Sequence, residues 1–188
     1  DEALKSHIEA FSNGYSDQVI MPGDLLHCDF GISYLGLNTD CQQHAYVPFP
    51  QENEVPEFLK EAFNTGNRVQ DLFTGEFVQG RTGNEILASA LQLGRAQGLR
   101  PSIYTHPLGT YGHSAGTTLG MWDAQNGVPG SGDYALQYKT AYAIELNNTV
   151  YLSQWKKDIR IMLEEAGYFD ADGFRYVSGR QEGILLVD

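Results

Sequence analysis

Four acidic residues and one histidine in this 188-residue chain sit where idle surface charge is not expected. Asp29 lies near the end of the run Leu25-Leu26-His27-Cys28-Asp29-Phe30, and Asp40 follows eleven residues later (40 − 29 = 11). A turn centred near Leu35 would set the two carboxylates opposite each other on a hairpin. Cross-strand partners sit roughly 4.5–5.5 Å apart at Cβ. Two carboxylates that close repel, and one pKa rises unless a cation lies between them. A pair of divalent metal ions would use both as hard oxygen ligands. The other reading is that one Asp points to solvent beyond the turn, because strand register is not fixed by sequence.

Three further positions favour the metal reading. His113 lies in Tyr111-Gly112-His113-Ser114-Ala115-Gly116, where flanking glycines let the backbone approach a ligand closely. Glu145 interrupts the apolar run Ala141-Tyr142-Ala143-Ile144-Glu145-Leu146, and Glu182 precedes Ile184-Leu185-Leu186-Val187. A lone acid in an apolar strand usually sits at an exposed edge or beside a base. Two such acids, an acidic hairpin and a glycine-flanked histidine share one explanation, a metal site.

The elements that must position these groups are legible in part. Met21-Pro22-Gly23-Asp24 is a turn signal ahead of the strand at 25–30. Tyr34-Leu35-Gly36 offers a second turn, and Leu37 to Val47 reads as the returning strand. A helix is predicted from near Pro56, with Phe58, Leu59, Ala62, Phe63, Val69, Leu72 and Phe73 at helical spacing. Thr82-Gly83-Asn84-Glu85 is a capping box for a second helix, whose C-cap is Gly98. Residues 123–132 form a Gly- and Pro-containing loop, and 141–146 and 184–187 read as buried strands. The order of hairpin, two helices and strands predicts an α+β fold with an antiparallel sheet.

Composition narrows the function classes. Hydrophobic residues are 41% and charged residues 19%, enough for a folded core. The net charge of −12, from 12 basic and 24 acidic residues, argues against a nucleic-acid partner and against an anionic membrane surface. No stretch of about 18 apolar residues is present to span a bilayer. Cys28 and Cys41 have no disulfide-framework or zinc-finger spacing, so reduced thiols and a cytoplasmic location are expected, with Cys28 in the core.

Gly23-Asp24-Leu25-Leu26-His27-Cys28-Asp29-Phe30-Gly31 with Thr39-Asp40 resembles the first metal motif of the methionine aminopeptidase, prolidase and creatinase superfamily. Gly112-His113-Ser114-Ala115-Gly116 is similar to its histidine motif, Ile144-Glu145 to its first glutamate motif and Arg180-Gln181-Glu182 to its last. The match runs from about Pro22 to Val187, and Asp29, Asp40, His113, Glu145 and Glu182 keep the family order of ligands. The resemblance implies the pita-bread fold, an antiparallel sheet backed by helices. The two predicted helices correspond to the second helical pair, and the first pair is missing. The 188 residues are therefore expected to form most of one pita-bread catalytic domain, with the N-terminal part of the protein upstream.

The resemblance also implies a dinuclear centre. Asp29 would chelate one ion, His113 and Glu145 the other, and Asp40 and Glu182 would bridge them. A metal-bridging hydroxide would attack a peptide carbonyl, with Glu145 as proton shuttle. Family members use manganese, cobalt, iron or zinc, and oxygen-rich ligation favours manganese. The implied activity is that of an Xaa-Pro aminopeptidase or dipeptidase acting on a short peptide or small amide, with a homodimer as a further expectation.

Three departures bear on this. Counting seven residues from His113 to the family's second histidine reaches Gly120. His7 alone can stand for the histidine upstream of the hairpin, and Leu146 replaces the proline after the first glutamate. Metal binding is thus better supported than ordinary peptidase activity. His106 is a catalytic substitute or else a packed imidazole. Trp122 and Trp155 line a substrate cleft or simply pack, and Arg180 orients Glu182 or neutralises charge. A creatinase-like hydrolase of non-peptide C–N bonds and a non-catalytic pita-bread binding module are the alternatives.

Overall fold

A computed structural model describes residues 19–187 of the chain, so His7 lies outside the described residues. Among the described residues, two α-helices pack on short strands arranged in three main sheets. Helix α1 (Glu57–Thr74) starts directly after Pro56 and buries Leu59, Ala62, Phe63, Val69 and Phe73 along one stripe. Gly66 lets this stripe press onto the sheet, because a Cβ there would come within 2.8 Å of Ile161 Cγ2 and 2.9 Å of Leu163 Cδ1. Helix α2 (Gly83–Ala96) carries the expected capping box, with the Thr82 N–H donating to Glu85 Oε2 at 2.8 Å and the Glu85 N–H to Thr82 Oγ1 at 3.2 Å. Its end is closed by Gly98 at φ +76°, and the Leu99 N–H reaches back to the Gly94 carbonyl.

The hairpin comprises β1 (Leu25–Phe30) and β4 (Cys41–Tyr46), joined through the two-residue strands β2 (Ser33–Tyr34) and β3 (Leu37–Asn38). Its register pairs Asp29 with Gln42 and Phe30 with Cys41. Asp29 and Asp40 are therefore not directly opposite, as a turn at Leu35 would require. They are diagonal neighbours on one face, since Asp40 lies two residues from Asp29's partner. Cys28 is exposed rather than part of the core. The register puts it on the opposite face of β1 from Asp29.

The remaining strands form two sheets that share chain segments. β5 (Pro101–Ile103), β8 (Leu146–Leu152) and β9 (Lys157–Leu163) make one, in the order β5-β8-β9. β6 (His106–Leu108), β7 (Thr140–Ala143), β10 (Ala166–Asp170) and β11 (Gly173–Tyr176) make the other, in the order β11-β10-β7-β6. Three segments pass from one sheet to the other: β5 into β6, β7 into β8 and β9 into β10. The crossings are at 104–105, 144–145 and 164–165. They are held level by hydrogen bonds from Tyr104 N–H to the Glu145 carbonyl and from Ile144 N–H to the Glu165 carbonyl. β4 joins at the same level through the Gln42–Glu164 bridge. The apolar stretch at 141–146 is thus two strands with a break at Glu145.

Pairings are antiparallel except for β12 (Leu185–Leu186), which runs parallel to β4. β12 is shorter and more exposed than the buried strand predicted at 184–187. The core lies between the helices and the sheets, where Phe63, Phe73, Ile86, Leu87, Ile103, Tyr142, Ile144, Leu146, Ile161 and Leu163 are sealed from solvent. Burying each large apolar side chain contributes about 1.5–3 kcal/mol. That packing fixes the level at which the three segments cross.

Candidate metal centre

The three crossings and the hairpin deliver their polar side chains to one place. Asp29, Asp40 and Glu164 bring ligand atoms within 4.8 Å of one another, as do His106, Glu145 and Glu164, and Asp40, His106 and His113. Asp40, Glu164 and His106 each belong to two of these triads, so the groups form one continuous cluster. His106 Nε2 is 3.7 Å from Glu164 Oε1, 3.8 Å from Glu145 Oε2 and 4.0 Å from Asp40 Oδ2. The His113 ring stands beside that of His106, with centroids 4.0 Å apart, and is exposed.

The electrostatics of this cluster call for a cation. Burial, followed by the charge of Glu164, raises the Glu145 pKa to about 9 and that of Asp40 to about 6. Asp29 is raised for the same reasons. At His106, burial opposes the charged ring, but Glu164 and then Asp40 favour it and the net shift is upward. One imidazolium cannot neutralise four carboxylates. Two buried atoms, His106 Nε2 and Glu164 Oε1, have no hydrogen-bond partner. His106 Nδ1–H donates to the Pro107 carbonyl at 3.2 Å, which in the neutral ring leaves the Nε2 lone pair for a ligand. Unpartnered atoms of this kind, facing one another among carboxylates, fit a donor set for divalent cations.

Of the residues singled out in the sequence, Asp29, Asp40, His113, Glu145 and His106 converge here. Glu182 does not: it is exposed and belongs to none of the triads. The fourth carboxylate of the cluster is Glu164, at the crossing from β9 to β10. Glu164 carries the same signal that marks Glu145, an acid closing the apolar run Ile161-Met162-Leu163. Arg180 is tied to α1 by Asp71, at 2.6 Å, and by the Asn67 carbonyl. Between Arg180 and Glu182, the Gln181 side chain pairs with the His44 backbone, accepting from its N–H at 2.8 Å and donating to its carbonyl at 2.7 Å. This apparent last motif therefore fastens β4 to the helix. Trp122 is exposed in the turn after Gly120, and Trp155 packs edge-on against Phe58.

The seven-residue histidine spacing is present, but it runs from His106 to His113 (113 − 106 = 7) rather than from His113 to Gly120. Gly120 has φ +80°, and a Cβ there would collide with the Ile103 carbonyl. A histidine side chain does not fit at this position.

Comparison with known proteins identifies the fold. An X-Pro aminopeptidase from Thermotoga maritima MSB8 superimposes with a TM-score of 0.68 at 20% identity, over 92% of this chain and 44% of that one. An Xaa-Pro dipeptidase from Bacillus anthracis gives 0.64 at 20% identity, over 92% and 44%. A methionine aminopeptidase from Rickettsia prowazekii gives 0.63 at 15% identity, over 86% and 66%. The chain thus spans less than half the length of the first two structures. The fold is the pita-bread fold expected from the sequence, with α1 and α2 its only long helices among the described residues. No curated protein matches the chain. The profile Peptidase_M24, "Metallopeptidase family M24", matches residues 3–167, and the chain belongs to that family.

Proposed function

We propose that the chain carries the dinuclear centre of a peptidase that removes residues from short peptides, with Xaa-Pro bonds as the preferred class. The observation that carries this reading is the overlap of the three triads. Asp40, Glu164 and His106 are each shared by two triads; Asp29 joins Asp40 and Glu164, and Glu145 joins His106 and Glu164. Asp29 would hold one ion, His106 and Glu145 the second, and Asp40 and Glu164 both. Four carboxylates and one imidazole form a predominantly oxygen donor set, which suits manganese. A bound ion pair supplies Lewis acidity and a water acidic enough to act as nucleophile near neutral pH.

The protein residues do the remaining work. Glu145, half-sheltered at the crossing of β7 into β8, carries a proton between the attacking water and the leaving amine. His113, exposed beside His106, is free to hydrogen-bond the substrate's carbonyl oxygen. The Xaa-Pro preference draws on the likeness to an X-Pro aminopeptidase and an Xaa-Pro dipeptidase.

The test is hydrolysis of a panel of Xaa-Pro and Met-initiated peptides by the intact protein loaded with manganese. Release of the N-terminal residue, abolished by chelator and restored by manganese, is expected. His113→Ala should keep the metal and lose most of the turnover. A protein that binds two manganese ions and leaves the whole panel uncut overturns the peptidase reading.

A further inference from the structure

Gln42 is buried, with 2% of its surface accessible, and its side chain reaches two carboxylates of the cluster. Its Nε2 donates to Glu145 Oε1 at 2.7 Å and to Glu164 Oε2 at 3.0 Å. Both amide hydrogens are therefore spent on carboxylates from two different crossings. The Gln42 Oε1 accepts from His27 Nε2 at 2.9 Å. His27 lies across the hairpin on β1, and its acceptance by Oε1 fixes which end of the amide faces the glutamates.

The two contacts divide each carboxylate in the same way. The oxygens left by Gln42 are Glu145 Oε2 and Glu164 Oε1, and these are the ones facing His106 Nε2, at 3.8 and 3.7 Å. Glu164 Oε1 is buried and unpartnered. A neutral amide does this without adding charge. A lysine or arginine in its place would neutralise the carboxylates and compete with cations for them. An apolar residue would leave two buried carboxylates without their donor, free to rotate and to repel each other.

We propose that Gln42 is a positioning residue of the metal centre: one amide, oriented by His27, grips the outer oxygens of Glu145 and Glu164 and turns their inner oxygens toward the ions. This rests on the dinuclear reading above. Groups that orient metal ligands from outside typically control about 10- to 100-fold in metal affinity. Gln42 acts on two ligands at once, one of them shared between the ions, so it sets the coupling of the pair as well as its affinity.

The experiment is titration of the metal-free intact protein with manganese, read by calorimetry and by electron paramagnetic resonance, for wild type, Gln42→Leu, His27→Ala and His27→Gln. Wild type should bind two ions and show the signal of a spin-coupled pair. Gln42→Leu should lose about 10- to 100-fold in affinity for the weaker ion and show uncoupled manganese at equal loading. His27→Ala should weaken it by about threefold, and His27→Gln, which keeps a donor, should recover part of the loss. A Gln42→Leu protein with wild-type affinity and a wild-type coupled signal overturns the proposal and leaves the metal centre standing. Wild type that binds no manganese overturns the centre itself and the proposal with it. Should Gln42→Leu not fold, His27→Ala decides, because His27 is exposed: unchanged affinity and coupling there overturn the proposal.

Discussion

The two halves of the candidate ligand cluster are built differently. His106, Glu145 and Glu164 come from three segments that pass between sheets, and each is pinned on both sides by a ladder. Glu164 retains only 1% of its side-chain exposure. Asp29 and Asp40 come from a hairpin whose far end is open, with Phe30, Ile32, Tyr34 and Leu35 exposed, Leu35 to 87%. The hairpin is held by β4, through the Gln42–Glu164 bridge and the His44–Met162 contact at 3.1 Å, and at its tip by Asn38. The inner half is thus preorganised by the fold, while the outer half depends on one strand. An ion shared through Asp40 and Glu164 would tie the two together.

The largest effect that tests this division is on metal stoichiometry. Glu164→Gln removes a carboxylate placed between both triads and should weaken both ions by more than about 100-fold, with loss of activity. Asp29→Asn should weaken one ion and leave the other. Glu182→Gln should bind two ions as the wild type does. Equilibrium dialysis with elemental analysis reads all three. Two tightly held ions in Glu164→Gln, or their loss in Glu182→Gln, would break the comparison at its root.

A second effect is on stability. In the metal-free protein the folded Glu145 carboxyl has its pKa raised from 4.5 to about 9, so across that window the folded state holds a proton that the unfolded state releases. Stability therefore falls as pH rises from about 4.5 to about 9. Asp40 adds a fall of the same sign between 3.8 and about 6. Melting curves of the metal-free protein should show this decline, and Glu145→Gln should flatten it above pH 6 or so. Manganese at 100 times its Kd should add about 2.7 kcal/mol and reverse much of the slope. A melting temperature that climbs with pH in this window would contradict the burial of Glu145.

Much of the fold was legible in the sequence because it rests on local chemistry. The Thr82–Glu85 cap, the stripe from Leu59 to Phe73 and the Gly98 stop are each written within a few residues. The outer half of the site was legible too, although the register shifted Asp29 from Asp40 to Gln42. The inner half was harder, because it is made by strands crossing between sheets. Glu164 closes an apolar run as Glu145 does, but Glu182, ahead of another apolar run, offers a similar pattern, and only the strand's end at Leu163 puts Glu164 in the cluster. His106 and His113 are seven residues apart in the sequence, but it takes the folded chain, with their rings 4.0 Å apart and Ile103 pressed on Gly120, to show that this pair rather than His113 and Gly120 carries the spacing. Gln42 gave no signal, since an amide between Cys41 and Gln43 becomes informative only when both glutamates are in place.

The smallest effect concerns the hairpin tip. The Asn38 backbone N–H donates to the Gly109 carbonyl at 2.8 Å, and its side chain reaches the same oxygen at 3.4 Å. This connects the outer half to the segment after β6, which carries His106. Asn38→Ala keeps the backbone bond and removes only the longer one, together with the contact to Ser33 Oγ. Such a partly buried loss should amount to about 0.5–1 kcal/mol in denaturant unfolding. The β1–β4 ladder, not the tip, places Asp29 and Asp40, so both manganese affinities should stay within about twofold of wild type. If Asn38→Ala instead weakened one ion as much as Asp29→Asn does, the hairpin would be positioned from its tip. The outer half would then be no less dependent on the β6 segment than His106 is, and the contrast between the halves would reduce to exposure alone.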